Sequence, residues 1–423
     1  MVRRVAGPSL GWSYRIAYGE PRLLYLYAIV VAGCLALAGA GLIEQRRHHR
    51  NLELIRARIL VNGTRGKSSI TRLTAGALRG GGLRTVAKTT GTAARFLRPD
   101  ASEEPVRRRF GVADIGEQVG IVARAVGYRP DALVVECMAV QPRLQEVLQT
   151  KLVRATIGVL SNVRPDHLDE MGPTLDEVGR SLSGTMPRGG VCVTAERDRL
   201  ELLYAEAARR DCQLIAVDPE SVSDAELAGF EWLTFKDNVA IALAVAQLLG
   251  VDRGAALRGM WAAPPDPGAL TVTRYRYRGG QVRFANIFAA NDPQSTLLNV
   301  AELTRRGLIG APAYGVVNCR RDRLERNAQM GALVPELGIE GVFLIGEATR
   351  SARRAIPGGW TGTVVELGDG PEVTRQLLGH LPGYASLVAV GNIHGAGTRL
   401  VHQLGELCTR EPAWVPVRPE AAA

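Results

Sequence analysis

Aromatic side chains are scarce in this chain. Phe, Trp and Tyr make up 5% of its 423 residues, and no run of them forms a base-stacking platform, which turns the reading away from nucleic acid. Cysteine is sparse too. Cys34, Cys137, Cys192, Cys212, Cys319 and Cys408 include no C-x-x-C pair, so neither a zinc cage nor a redox motif is indicated. Reduced, mostly buried thiols of a cytosolic compartment are expected. Acidic residues fall short of basic ones, 42 against 52, and the formal net charge is +10. That excess favours anionic partners such as nucleotide, lipid headgroups or an acidic polymer. No repeat of fixed period and no low-complexity tract is present.

Long uncharged runs are rare, with one exception. "LLYLYAIVVAGCLALAGAGLI", Leu23 to Ile43, carries no charge and is long enough to cross the ~30 Å hydrocarbon core as a helix. Tyr25 and Tyr27 sit where interfacial rings belong, with Arg22 before the run and Arg46, Arg47 and Arg50 after it. The flank "GAGLIEQRRHHR" reads as a stop-transfer sequence rather than a cleavage site. The expectation is an N-terminal segment, 1–50, holding one uncleaved span at about 23–43. Arginines stand on both sides (Arg3, Arg4 and Arg15; Arg56 and Arg58), so charge alone orients the span only slightly. The nucleotide chemistry below decides for a single-pass cell-membrane protein with cytoplasmic catalytic domains.

Hydrophobic residues are plentiful at 46%, and 423 residues exceed one ordinary core. "RILVN", "DALVVECMA", "RATIGVLSNV", "GGVCVTA" and "CQLIAVD" read as strands, with helical patterns between them such as Asp198 to Arg210 and Asp237 to Leu249. Such alternation predicts an α/β fold, a mostly parallel sheet with helices on both faces. The Pro/Gly break "AAPPDPGAL" ends this pattern. A hairpin around Gly279-Gly280 follows, and "YGVVNCR", "GVFLIGE", "TGTVVEL" and "SLVAVGN" restart the alternation. The expected domains are an ATP-binding central domain, 51–262, and a smaller Rossmann-like α/β domain, 263–423.

"RILVNGTRGKSSITRL" joins an apolar strand, a short glycine turn and a helix, the setting of a phosphate loop. Gly63 and Gly66 let backbone amides approach phosphate, and the helix N-terminus adds partial positive charge. Lys67 can reach the β/γ-phosphates, and Ser68 can ligate Mg²⁺. Glu136 ends the buried strand of "DALVVECMA" at the sheet edge where doubly wound folds bind ligands. A carboxylate there either meets a metal cation or is capped or salt-bridged by protein. "KTTGTAARF" offers Thr89, Thr90 and Thr92 for phosphate or metal contact, or as a capped turn. "SNVRPDHLDEMGPT" gathers Asp166, His167 and Asp169 in a tight turn, where His167 can serve a metal or be structural.

Taken together, these motifs resemble the Mur ligase superfamily of ATP-dependent amide ligases. "GTRGKS" matches that family's short loop G-T-x-G-K-S/T, which opens at Gly63 and makes Val61 the end of the strand. "VVECMA" resembles its strand with the magnesium-binding Glu, "NVRPDHLDEMG" its N-x-x-x-D-H-x-D segment, and "FKDNVAIALAVAQLLGV" its Asn-led helix beside adenine. Within the superfamily, "KTTGT", "DIGEQ", "VECMAV", "DHLDEMGPTLDEV", "AAPPDPGAL", "VNCRRDR" and "VGNIHGAG" are similar to the ligase subunits of poly-γ-glutamate synthases, from Val61 to Gly397. The resemblance implies a membrane-anchored ligase that activates a γ-carboxylate as an acyl phosphate and joins it to a glutamate amine, using ATP and Mg²⁺. It implies as partners glutamate, the growing poly-γ-glutamate and small membrane subunits of the synthase, and no nucleic acid.

Site roles follow by the same resemblance. Lys67, Glu136 and His167 become catalytic, and Ser68, Thr92, Glu136 and His167 become metal ligands. Gly63, Thr64, Arg65, Gly66, Lys67, Ser68, Ser69, Asn238 and Asp322 become nucleotide contacts. Arg320, Arg323, Asn291 and His394 become substrate contacts. Two departures stand out. Most Mur ligases carry a carbamoylated Lys where this chain has Leu182, so the second metal either lacks that ligand or takes another, with Asp169 as the candidate. The C-terminal motif D-Y-A-H-N-P becomes "FAANDP", so Asn291 and Asp292 take over contacts there. Arg98 and Arg107 to Arg109, read as a loop after "KTTGT", and Arg320, Arg321, Arg323 and Arg326 can hold a polyanion or form a solvated surface. Two alternatives predict other behaviour: another Mur-type amino-acid ligase, or a tethered P-loop ATPase that drives assembly or transport without responding to amino acids.

Overall fold

The computed structural model describes residues 21–90, 94–108, 114–230, 232–265, 270–288, 290 and 292–411. The chain divides into two units, Met1–Leu54 and Ile55–Ala423. The described part of the first is one helix, α1 (Pro21–Glu53), which contains the apolar run and continues through the basic residues after it. Tyr25, Ile29, Val31, Leu35, Leu37 and Ile43 are all exposed, and by length and composition the helix can cross a membrane.

In the second unit, eight strands form the first sheet. They are β1 (Ala57–Asn62), β2 (Thr85–Thr89), β3 (Arg95–Leu97), β4 (Glu103–Pro105), β5 (Ala132–Glu136), β6 (Ile157–Leu160), β7 (Val191–Thr194) and β8 (Gln213–Ala216). Their order is β4-β3-β2-β5-β1-β6-β7-β8. The five pairings from β2 to β8 are parallel, and β3 and β4 add an antiparallel margin. β1 and β5 are apolar along nearly their whole length, because helices cover both faces of a parallel sheet. Those helices are α2 (Lys67–Gly80), α3 (Glu117–Val126), α4 (Pro142–Val147), α5 (Leu168–Met171), α6 (Leu175–Ser183), α7 (Leu200–Ala208), α8 (Asp224–Leu227), α9 (Lys236–Leu248) and α10 (Arg253–Trp261). α2, α9 and α10 pack one apolar cluster against Ile59, Val61 and Val134, while α6 and α7 close the other face around Leu160 and Val163.

A second lobe of the same unit has seven strands. β9 (Thr271–Tyr277) and β10 (Gly280–Asn286) form a hairpin, followed by β11 (Ala313–Cys319), β12 (Gly341–Gly346), β13 (Thr363–Gly368), β14 (Tyr384–Gly391) and β15 (Thr409–Arg410). The order β13-β12-β11-β14-β10-β9-β15 is parallel from β13 to β10 and antiparallel beyond. Helices α11 (Pro293–Arg305), α12 (Leu324–Leu333), α13 (Thr349–Ala355), α14 (Val373–His380) and α15 (Ala396–Leu407) flank it. The lobes touch where Leu233 and Phe235, just before α9, pack into the second lobe's core. Nearby, Arg306 Nη2 donates to Thr234 O at 3.0 Å.

One expectation is corrected here. The segment after "KTTGT" is not a plain loop, because β3 and β4 pair within it. Arg98 stands at their turn and is spent on Glu104, 2.9 Å away, and on Ser102. Arg108 likewise donates to Glu117 at 3.2 Å. Arg109 lies outside the described residues.

Candidate active site

The carboxyl ends of β2, β5, β1 and β6 meet at one edge of the first sheet, and the phosphate loop leaves β1 there. At Gly63 φ is +124°, and an added Cβ would lie 2.0 Å from Ser161 Oγ, so only glycine fits. At Gly66 φ is +83°, and an added Cβ would lie 2.9 Å from Asn238 Oδ1. The buried Asn238, in the first turn of α9, therefore stands directly against the loop.

The turn after β6 fixes the loop's shape. Thr64 N–H donates to Asn162 O and Thr64 Oγ1 to Asn162 Oδ1 at 2.7 Å. Arg65 N–H donates to Asn162 Oδ1, and Arg65 O accepts from Ser161 Oγ at 2.6 Å. Arg164 N–H returns a bond to Thr64 Oγ1. Glu196 Oε2 in turn holds Val163 N–H at 2.7 Å, which keeps this turn under the loop.

Lys67 Nζ donates to Gly63 O at 2.7 Å and Thr64 O at 3.2 Å. Among the described residues no carboxylate pairs with it. Glu136 is 3% exposed. Its Oε2 accepts from Ser68 Oγ at 2.9 Å and from Thr90 N–H at 2.6 Å. No cationic side chain among the described residues bonds to this carboxylate. The Thr90 hydroxyl beside it is buried without a bond. A buried carboxylate, a serine hydroxyl and an orphaned threonine hydroxyl make an oxygen donor set for a hard divalent cation. The free ammonium and the glycine cradle fit phosphate. Neighbouring Cys137 competes poorly as a ligand, because burial pushes its thiol up to about 11.

His167 occupies the N-cap position of the short α5 at φ +44° without a side-chain capping bond. Its side chain is half exposed, and Nε2 lies 3.9 Å from Asp166 Oδ1. Asp169 is exposed. Among the described residues no three His, Cys, Asp or Glu side chains gather as a metal cage. Leu182 is buried in the apolar cluster with Leu160, Val163, Met171 and Val178. Its side chain is committed to packing. Ser69 lies half-buried in the first turn of α2. Thr92 and Asn291 lie outside the described residues.

On the second lobe, Arg320 and Asp322 pair with each other, Nε–Oδ1 2.9 Å and Nη2–Oδ2 2.8 Å, and Arg323 approaches Asp322 at 3.8 Å. Arg320 Nη1 also donates to Asn392 Oδ1 at 3.3 Å. His394 is exposed; its N–H donates to Asn392 Oδ1 and its carbonyl accepts from Asn318 Nδ2 at 2.9 Å. Reading the sequence missed Asn318. It is the penultimate residue of β11, beside β14 where the strand order reverses, and its buried Oδ1 has no bond. The reversal becomes visible only once strand order is known. Also missed was the reach of Arg65, whose Nε donates to Asp292 Oδ2 at 2.9 Å on the second lobe. Its Nη2 lies 3.6 Å from Asp166 Oδ1.

Comparison with known proteins agrees with this arrangement. The Mur ligase middle domain matches residues 61–242, and the C-terminal domain of the poly-gamma-glutamate synthase CapB matches residues 272–407. The chain is 38% identical to the capsule biosynthesis protein CapB of Bacillus anthracis, over 86% of this chain and 80% of that protein. It is 37% identical to the PGA synthase CapB of Bacillus subtilis strain 168, over 89% of this chain and 98% of that protein. Among solved structures, E. coli FolC in complex with ADP superposes with a TM-score of 0.64 at 14% identity, covering 86% of this chain and 92% of that chain. At that identity the likeness speaks for the fold.

Proposed function

The chain belongs to the CapB family of poly-γ-glutamate synthases, within the Mur ligase superfamily, and on that premise we propose the following reading. It is an ATP-dependent amide ligase that lengthens poly-γ-glutamate by joining a γ-carboxylate to the amine of glutamate. The observation that carries the reading is a Lys67 ammonium that meets loop carbonyls and, among the described residues, no carboxylate, at the same phosphate loop whose Ser68 hydroxyl bonds the buried Glu136 carboxylate.

A carboxylate is a poor electrophile, since its charge repels an amine and oxide leaves badly. ATP, with magnesium, would supply the γ-phosphoryl group that turns the carboxylate into an acyl phosphate and leaves ADP. The amine then attacks the acyl carbon, the C–O bond to phosphate breaks, and inorganic phosphate and the amine's proton leave as the amide forms. The protein's part is positioning and electrostatics. Lys67 turns from the loop carbonyls to the phosphate oxygens. Glu136 and Ser68 hold the metal, with the Thr90 hydroxyl beside them and Thr92 following in the same segment. Gly63, Thr64, Gly66 and Ser69 shape the phosphate cradle, and Asn238 borders the base. His167 would help hold a second metal between the acceptor carboxylate and the γ-phosphate. Arg320 and Arg323 attract the carboxylates of the incoming glutamate, with His394 nearby; Asn291 is proposed as a further substrate contact. Asp322, paired with Arg320 and half exposed, is proposed as a nucleotide contact from the second lobe.

In this reading α1 anchors the enzyme in the cell membrane, with the second unit on the cytoplasmic side where ATP is. Small membrane subunits of the synthase are its partners there. The test is product analysis of cells expressing the chain with its neighbouring genes. Wild-type cells are expected to make γ-linked polymer and Lys67→Ala cells none; polymer at wild-type level in Lys67→Ala would remove the phosphate-loop assignment. Purified protein is expected to release ADP and phosphate in a glutamate-dependent way. Turnover indifferent to glutamate would point to an ATPase instead.

A further inference from the structure

The seam between the two lobes carries a set of charges contributed from both sides. Arg65 comes from the phosphate loop and Asp166 from the turn before α5, both on the first lobe. Asp292, at the N-terminus of α11, and Arg326, on α12, come from the second. Arg65 is held at both its N–H and its carbonyl by Ser161 and Asn162, so the origin of its side chain is fixed. Its guanidinium reaches Asp292 with Nε and Asp166 with Nη2. Asp292 divides its carboxylate: Oδ1 caps α11 by accepting Ser295 N–H at 2.8 Å, and Oδ2 takes Arg65. Arg326 lies close enough to feel both aspartates. Burial and the nearby Arg323 and Arg65 lower its pKa, while Asp166 and Asp292 oppose the shift.

We propose that Arg65 and Asp292 form an ionic clasp that sets the second lobe against the phosphate loop, making Asp292 a positioning residue for the amine-bearing substrate. The proposal rests on the reading above, that the loop holds the nucleotide and the second lobe holds glutamate. An exposed ion pair is worth little. This one is not exposed: the side chains of Arg65, Asp166 and Asp292 are 24%, 19% and 17% exposed. It also joins residues 227 apart in sequence, so its strength sets the relation of two bodies rather than the shape of one turn. Because Oδ1 of Asp292 caps α11, shifting the carboxylate shifts the helix end. The loop and the helix are thereby one mechanical unit.

The test uses the full chain in detergent or nanodiscs. Asp292→Asn keeps a good helix cap and removes the clasp's charge; Arg65→Gln removes the other half. Spin labels on Arg188→Cys and Arg375→Cys, in a Cys34→Ser background, report the interlobe distance without nucleotide. Each single variant is expected to broaden that distance and raise the glutamate KM about threefold to tenfold, with the double variant little worse than either. Nucleotide affinity of Asp292→Asn should stay within about twofold of wild type. Arg326→Gln should act in the same direction more weakly, which provides a second variant should Asp292→Asn fold poorly. Unchanged distances with additive KM effects would overturn the clasp. So would a loss of nucleotide affinity in Arg65→Gln alone, with distances intact. Failure of the nucleotide reading shows separately, as unaltered nucleotide binding in Lys67→Ala.

Discussion

At Gly63 the loop has no space for a side chain. A methyl there would meet Ser161 Oγ at 2.0 Å and Ser161 N at 2.8 Å, at a φ of +124°. Gly63→Ala should therefore cost about 2–4 kcal/mol, seen as a lower thermal midpoint together with weakened nucleotide binding. A second residue with a sharp expectation is Lys88. Its ammonium is fully buried on β2 and donates to Glu117 Oε1 at 2.5 Å, and burial outweighs the carboxylate in lowering its pKa. Lys88→Met leaves Glu117 with Arg108 alone and should cost about 3 kcal/mol. A Glu117→Gln partner change should recover part of the loss in a double-variant cycle of thermal midpoints. At this scale the loop residues were legible because they are contiguous and each follows from phosphate chemistry. Asn162, Asn318 and the Arg65–Asp292 pair were not, since each acquires its meaning from a strand or lobe far away in sequence.

Among the elements, the long apolar strands were readable: β5, β6, β7 and β8 fall within the runs expected of them, and β1 and β14 begin one and two residues before theirs. β3 and β4 escaped because three residues each carry no period, and their charged residues resemble a loop. What holds small elements in place is often one charge. Glu226 completes the capping box of α8 with Ser223 and accepts from Arg253 Nε at 2.8 Å at the start of α10. Arg253, more than Ser223, holds its carboxyl at about 2, well below the ~4.3 of a free Glu. A lowered folded-state pKa means stabilisation that is complete above the unfolded value and lost as pH falls toward the folded one. Glu226→Gln should thus lower the thermal midpoint at pH 7, by an amount worth roughly 1–2 kcal/mol. The gap to wild type should close as pH drops from about 4.5 toward 2. A gap that widened in acid would contradict the assignment.

For the whole molecule, many basic residues are taken up in pairs with carboxylates, as at Arg98–Glu104, Arg253–Glu226 and Arg276–Glu411, while the net excess of ten remains. A basic total was therefore a weak guide to where an anion binds; motif order was the stronger one. The apolar helix α1 predicts that the full chain stays with membranes through alkaline carbonate washing. Val30→Arg together with Leu35→Arg should release it, because each central Arg costs about 2.5–3.5 kcal/mol of insertion. Membrane retention of that double variant would argue against a spanning role.

Leu182 carries one more consequence. A carbamoylated lysine is made by capturing carbon dioxide, so a ligase that relies on one inherits a dependence on dissolved bicarbonate. Here the position is filled by a leucine packed among Leu160, Val163, Met171 and Val178, and there is no amine to carbamoylate. Polymer synthesis by this enzyme should proceed at the same rate in carbon-dioxide-free buffer as in bicarbonate. That frees the making of a cell's outer coat from the gas balance around it.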